Sequence, residues 1–126
     1  MAIKLNHTIV FARDKKTSSN FLTDLFGLPA AKPFGPFLAV QVGDVTLDFD
    51  EVDEVSPTHY AFLVSEPEFD AIFARIRERS VPYWADPFKG LPGQINRHDG
   101  GRGVYFDDPD GHKLEIITRP YGSGKS

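Results

Sequence analysis

The chain reads as two half-chains built alike, and that repetition restricts its fold more than any single motif. Sliding the second half by 52 places lays His59 on His7, Glu66 on Asp14 and Phe73 on Phe21. A slide of 67 lays HKLEI on VTLDF, with Leu114 on Leu47 and Glu115 on Asp48. Each half therefore offers an imidazole on its first strand and a carboxylate on its last. The change of offset requires a longer loop in the second half, and Trp84 to Gly101, with its Gly, Pro and Asn, supplies one.

The elements follow from periodicity. Leu5 to Ala12 crowds Thr, Ile, Val and Phe together and predicts a strand. Asp14 caps a predicted helix whose Phe21, Leu22, Leu25 and Phe26 share a face, with Gly27 closing it. Phe37 to Val42 and Val45 to Phe49 follow as strands joined by a Gly43-Asp44 turn. After the acidic stretch from Asp50 to Pro57 the order repeats, with His59 to Val64 as a strand. Ser65 and Glu68 form a capping box for a helix striped by Phe69, Ile72, Phe73 and Ile76. A weak strand signal lies at Pro82 to Ala85. Gly103 to Phe106 and Lys113 to Thr118 close the half, turned by Asp108-Pro109-Asp110-Gly111. At 126 residues the expectation is a single domain over 1–120, with modules of about 3–52 and 57–119. Residues 121–126 read as a flexible tail; GSGKS lacks both the earlier Gly and the following helix of a phosphate-binding loop.

Composition narrows the function classes. A net charge of −4 and the lack of any basic stripe argue against nucleic acid. No apolar run approaches membrane-spanning length, and MAIKLNHTIV is too short and interrupted for a signal peptide. The expected location is therefore cytoplasmic. With no cysteine, disulfides and thiolate chemistry are excluded, and a metal site must use His, Asp and Glu. The sequon Asn6-His7-Thr8 is set aside, because it falls in a strand expected to be buried.

The repeated imidazole and carboxylate carry the chemistry. A strand shows one face every second residue, so His7 shares a face with Leu5 and Ile9, and Glu115 with Lys113, Ile117 and Arg119. A carboxylate flanked by Leu and Ile is costly to bury without a partner, and a cation between neutral imidazoles supplies one. Two His and one carboxylate with open positions suit Fe, Mn, Ni or Zn as the divalent metal. The spacing is no compact motif, and lone His or Glu residues on strands are more often plain surface or core.

LNHTIV at the start, THYAF at His59 and VYFDDPDGHKLEIIT near the end resemble the vicinal-oxygen-chelate superfamily. That superfamily includes glyoxalase I, extradiol dioxygenases, fosfomycin-resistance thiol transferases and bleomycin-binding proteins. The resemblance runs from Leu5 to about Arg119 and implies an α+β fold: two βαβββ modules forming a cup-shaped mixed sheet with helices outside. It implies His7, His59 and Glu115 as metal ligands, and Tyr105 as a residue reaching towards substrate. THYAF is similar to the fosfomycin-resistance branch in particular. Ile9 stands where that branch has Thr, however, and 88–102 replaces its potassium loop, which argues against fosfomycin transfer. Asp48 takes the place of a glyoxalase ligand that also moves protons; a methylene shorter, it is either an outer-sphere base or a surface residue.

The shared chemistry of such sites is a metal that binds two adjacent substrate oxygens and stabilises charge developing on them. The expected activity is that of a dioxygenase or glyoxalase-like lyase acting on a small oxygen-rich molecule. Asp48 and Tyr105 are the catalytic candidates. Arg119, Tyr105 and Trp84 are the substrate-binding ones, with Arg102 and Lys89 as lesser cations and His98 as a loop residue. The alternative is a metal-free binding or sequestering protein of the bleomycin-resistance kind. Members of this length are usually homodimers, with the cup completed within or between chains.

Overall fold

A computed structural model describes residues 3–124. The chain divides into two compact units, Met1–Ser56 and Pro57–Ser126, each one βαβββ module. The first holds β1 (His7–Ala12), α1 (Lys15–Phe26), β2 (Lys32–Phe34), β3 (Phe37–Val42) and β4 (Val45–Glu51). The second holds β5 (His59–Leu63), α2 (Glu66–Glu78), β6 (Tyr83–Trp84), β7 (Gly103–Asp107) and β8 (Lys113–Ile117), with a 3-10 turn at His98–Gly100. The sheets run β1-β4-β3-β2 and β5-β8-β7-β6. In each the first strand lies parallel to the last and the other pairs are antiparallel. The α+β class and the two-module organisation are those the sequence predicts.

The ladders repeat residue for residue. His7 stands beside Thr46 and His59 beside Lys113, with Asp48 and Glu115 each two residues further along. Ala39 faces Asp48 as Tyr105 faces Glu115, and Lys32 faces Ala39 as Trp84 faces Tyr105. The 52-residue offset thus persists from His59 to Trp84 and has widened by Tyr105. The long loop between β6 and β7 therefore takes up most of the insertion, as its composition suggested.

Local chemistry accounts for the helices. The Asp14 carboxylate accepts from the Lys16 and Thr17 amides at 3.1 Å, and Gly27 ends α1 at a left-handed φ of 68°. The predicted capping box is present: Ser65 Oγ accepts from the Glu68 amide, and Glu68 Oε1 from the Ser65 amide at 2.7 Å. Leu22 and Leu25 of α1 and Phe69, Ile72 and Ile76 of α2 are buried, while Phe21, Phe26 and Phe73 are half-buried. Strand alternation sorts β1 in the same way. Val10 and Ala12 enter the core; Ile9 and Phe11 stay exposed.

Two differences from the sequence-based expectation have physical causes. β2 is a three-residue, fully exposed edge strand containing Pro33, too short to leave a pattern. In the tail, Gly122 and Gly124 donate their amides to the two Asp99 carboxylate oxygens, each at 3.1 Å. Gly122 has a positive φ, and any side chain at Gly124 would run into the Asp99 backbone. Lys125 and Ser126 of the GSGKS stretch lie outside the described residues.

Candidate metal centre

The second unit brings three of the sequence-predicted site residues together. His59, at the start of β5, pairs with Lys113 in the parallel ladder, and Tyr105 on β7 lies opposite Glu115 on β8. Residues paired across strands share a face, so His59, Glu115, Tyr105 and Trp84 lie on the same side of the sheet. His59 Nε2 is 3.1 Å from Glu115 Oε1. The Tyr105 ring stacks beside the imidazole with centroids 6.0 Å apart. Glu115 is buried and His59 half open, so the pair forms an acidic floor with an accessible imidazole above it.

The hydrogen bonds decide which His59 nitrogen carries a proton. Nδ1 lies 3.0 Å from the Lys113 carbonyl, which only accepts, so Nδ1–H donates. Nε2 then presents its lone pair to a carboxylate oxygen, an arrangement that needs a proton or a cation between them. Two donors of one metal at about 2.0–2.2 Å stand about 3–3.5 Å apart, according to whether the coordination is octahedral or tetrahedral. The observed spacing and the carbonyl behind Nδ1 therefore fit a metal-binding pair with its imidazole held from behind. Burial, and next the Glu115 charge, push the Tyr105 hydroxyl up to about 12, so it is a proton donor throughout the neutral range.

In the first unit His7 repeats the tautomer. Its Nδ1 donates to Asn6 Oδ1 at 2.7 Å, leaving Nε2 without a partner among the described residues. Contrary to the burial expected of this stretch, Asn6 and His7 are exposed. Asp48 lies on the same sheet face as His7, and it is no surface residue: it is 5% exposed, and its Oδ1 has no hydrogen-bond partner among the described residues. Among the described residues no group of three or more His, Asp or Glu side chains is close enough to hold a metal ion.

The remaining candidates sort by their partners. β8 stops at Ile117, so Arg119 lies beyond the strand, exposed, with its aliphatic stem against Gly101. Arg102 is committed to Glu66 and Asp70 at 2.7 and 2.9 Å and stacks over Phe69, which pins the long loop to α2. Lys89 pairs with Asp107 at 2.7 Å and lies over the Trp84 ring. His98 is an exposed loop residue. Tyr83 and Trp84 line an open cavity of about 410 Å³ with Arg77, Pro82 and Pro92, none of which is part of the His59–Glu115 pair. Lys113, which the sequence already placed on the face of Glu115, sends its ammonium to the Pro87 carbonyl, a contact that sequence reasoning missed. Sequence reasoning also missed His112, 1% exposed, which only its place after the Asp-Pro-Asp-Gly turn marks out.

Residues 4–116 match the Glyoxalase/Bleomycin resistance protein/Dioxygenase superfamily. The chain belongs to that superfamily. This member is 32% identical over 124 residues to the glutathione transferase FosA of Serratia marcescens, spanning 92% of this chain and 81% of that one. Two solved structures are more similar. Oxidase ChaP-H1 superposes with a TM-score of 0.93 at 62% identity, covering 96% of this chain and 99% of the other. Oxidase ChaP-H2 gives 0.94 at 57%, covering 99% and 100%. No helix among the described residues of the superfamily member is long and apolar enough to cross a membrane.

Proposed function

We propose that this protein is a metal-dependent oxidase acting on a small oxygen-rich substrate, with His59, Glu115 and His7 as the metal ligands. The observation that carries the reading is His59 Nε2 standing 3.1 Å from Glu115 Oε1 while Nδ1 is occupied by the Lys113 carbonyl. The free Nε2 of His7 and its equivalent place in the other module support it as the third donor. The likeness to two oxidases at 62% and 57% identity favours oxidation over lyase chemistry, and so iron or manganese over nickel or zinc.

When bound, the metal would supply a redox couple for oxidation by dioxygen and a positive charge that stabilises negative charge developing on two adjacent substrate oxygens. The chain's own residues do the rest. Tyr105, protonated and directed to Glu115, donates a hydrogen bond to a substrate oxygen seated at the pair. Asp48 is assigned as the base, because it lies on the sheet face of His7 and one of its carboxylate oxygens has no partner among the described residues. Trp84, half-buried beside Tyr105, forms an apolar wall, and Arg119, exposed and without a carboxylate partner among the described residues, receives an anionic substrate group. The protein works as a homodimer, in which a second copy covers the exposed Leu5, Ile9 and Phe11 of the β1 segment.

Elemental analysis of protein prepared without chelators or a His-tag tests this reading. Near-stoichiometric iron or manganese is expected, lost in His59→Ala and Glu115→Gln with the circular dichroism unchanged. Wild-type protein that stays empty after anaerobic reconstitution with Fe(II), Mn(II), Ni(II) and Zn(II) in turn would overturn it.

A further inference from the structure

His112 has no place in the chemistry above, yet it is among the most buried side chains of the second unit. Its ring Nδ1 accepts a hydrogen bond from the Thr58 amide at 2.9 Å. Thr58 is the residue before His59. Its carbonyl accepts from the Lys113 amide at 2.9 Å, and the Lys113 carbonyl in turn receives His59 Nδ1. The Pro57–Thr58 peptide, one residue before His59, is thus bound to His112, while the Thr58 carbonyl and the His59 imidazole are both bound to the residue after His112.

That placement matters because of where β5 lies. It is the edge strand of its sheet, and among the described residues β8 is its only ladder partner. The connection between them runs through α2, β6 and β7, so no tight turn sets their register. A slip of one residue would carry His59 about 3.3 Å along the strand and turn it to the other face. We propose that His112 is a positioning residue, whose ring fixes β5 on β8 and so holds His59 Nε2 against Glu115.

The backbone that carries the ring is itself held from several sides. The Asp108 carboxylate accepts from the His112 amide at 2.8 Å and the Asp110 amide at 2.9 Å, and the Asp108 amide donates back to the His112 carbonyl at 3.0 Å. Gly111 turns the chain at φ 82°, in the left-handed region where a side chain is strained. Tyr60 meets the ring edge-on at 5.5 Å. The turn before β8 therefore fixes the His112 backbone, Tyr60 packs against its ring, and the ring holds the residue before β5.

A merely space-filling His112 would need only its volume, whereas the positioning role needs an acceptor at Nδ1. Asn places a carbonyl oxygen near the Nδ1 position, Gln places its own further out, and Phe fills the space without an acceptor. The proposal rests on His59 and Glu115 forming a metal pair, so two readouts are taken on each variant. Co(II) titration followed by its d–d absorption is expected to show about 10–100-fold weaker binding in His112→Phe and His112→Gln, the loss typical of removing a ligand's support. His112→Asn is expected to recover most of it. The ring 15N shifts of His59 and the amide exchange of β5 are expected to change in Phe and Gln and to stay near wild type in Asn.

Folded Phe and Gln variants that bind Co(II) as tightly as wild type, with unchanged His59 shifts, would overturn the positioning role. If Phe does not fold, the comparison of Gln with Asn decides. If wild-type protein takes neither Co(II) nor any of the four metals named above, the metal reading falls by itself. The His59 shifts and β5 exchange then judge His112 alone: unchanged in Phe and Gln refutes the role, altered there and preserved in Asn upholds it.

Discussion

Asp48 and Glu115 occupy equivalent places in the two modules, yet their surroundings differ in a way that separates their roles. Glu115 has His59 beside it, whereas Asp48 is buried with one oxygen unpartnered. An unsatisfied buried polar atom costs about 1–3 kcal/mol, and a carboxylate is the worst case. Asp48→Asn is therefore expected to raise the thermal stability of metal-free protein by about 1 kcal/mol, the low end of that range, while abolishing turnover. A fall in Tm would instead assign Asp48 a structural bond. Tyr105 supplies a second check. Its hydroxyl is raised to about 12 by burial and then by the Glu115 charge, against an ordinary value of 10.0. Because the folded value exceeds the unfolded one, this tyrosine contributes stability that is complete below pH 10 and lost as pH rises towards 12. Absorbance titration at about 295 nm is expected to show a late tyrosine that vanishes in Tyr105→Phe and shifts down in Glu115→Gln. A late signal indifferent to Glu115→Gln would show that the carboxylate charge is not felt there.

At the scale of elements, both helices begin where side chains satisfy the free amides of the first turn, and those side chains are visible in sequence. In α2 the reciprocal bonds of Ser65 and Glu68 explain why the helix starts immediately after β5. Ser65→Ala is expected to destabilise the protein by about 1 kcal/mol in urea unfolding, with the slope unchanged. An unaltered midpoint would mean that packing of Phe69, Ile72 and Ile76 alone sets the start. The strands are legible where apolar residues alternate or cluster, as in β1, β4 and β8. β2 and the fastening of the tail to Asp99 are not, because backbone amides make those contacts and leave no composition signal. Arg102 illustrates the same limit. A cation in a Gly-rich loop looks free in sequence, but the fold delivers Glu66 and Asp70 to it.

For the whole molecule, the proposed dimer makes a stoichiometric expectation. If His7 of one copy joins His59 and Glu115 of the other, a mixed dimer of His7→Ala and Glu115→Gln chains regains one intact set and binds one metal. If all three ligands come from one chain, the mixed dimer binds none. Metal analysis of differently tagged, co-purified chains distinguishes the two. The repeat itself is legible in the amino-acid sequence alone: the pairs His7/His59 and Asp48/Glu115, and the place of the insertion, follow from periodicity and offsets along one chain. Local sequence carries such information because strand alternation and helix caps act over a few residues. What only the tertiary structure decided are the facts that depend on residues far apart in sequence. These are the 3.1 Å contact of His59 with Glu115, the burial of Asp48, and the hold of His112 on the Thr58 amide. The first and the last arise from parallel pairing of strands that are separated by a helix and two further strands, and no short-range pattern encodes that distance.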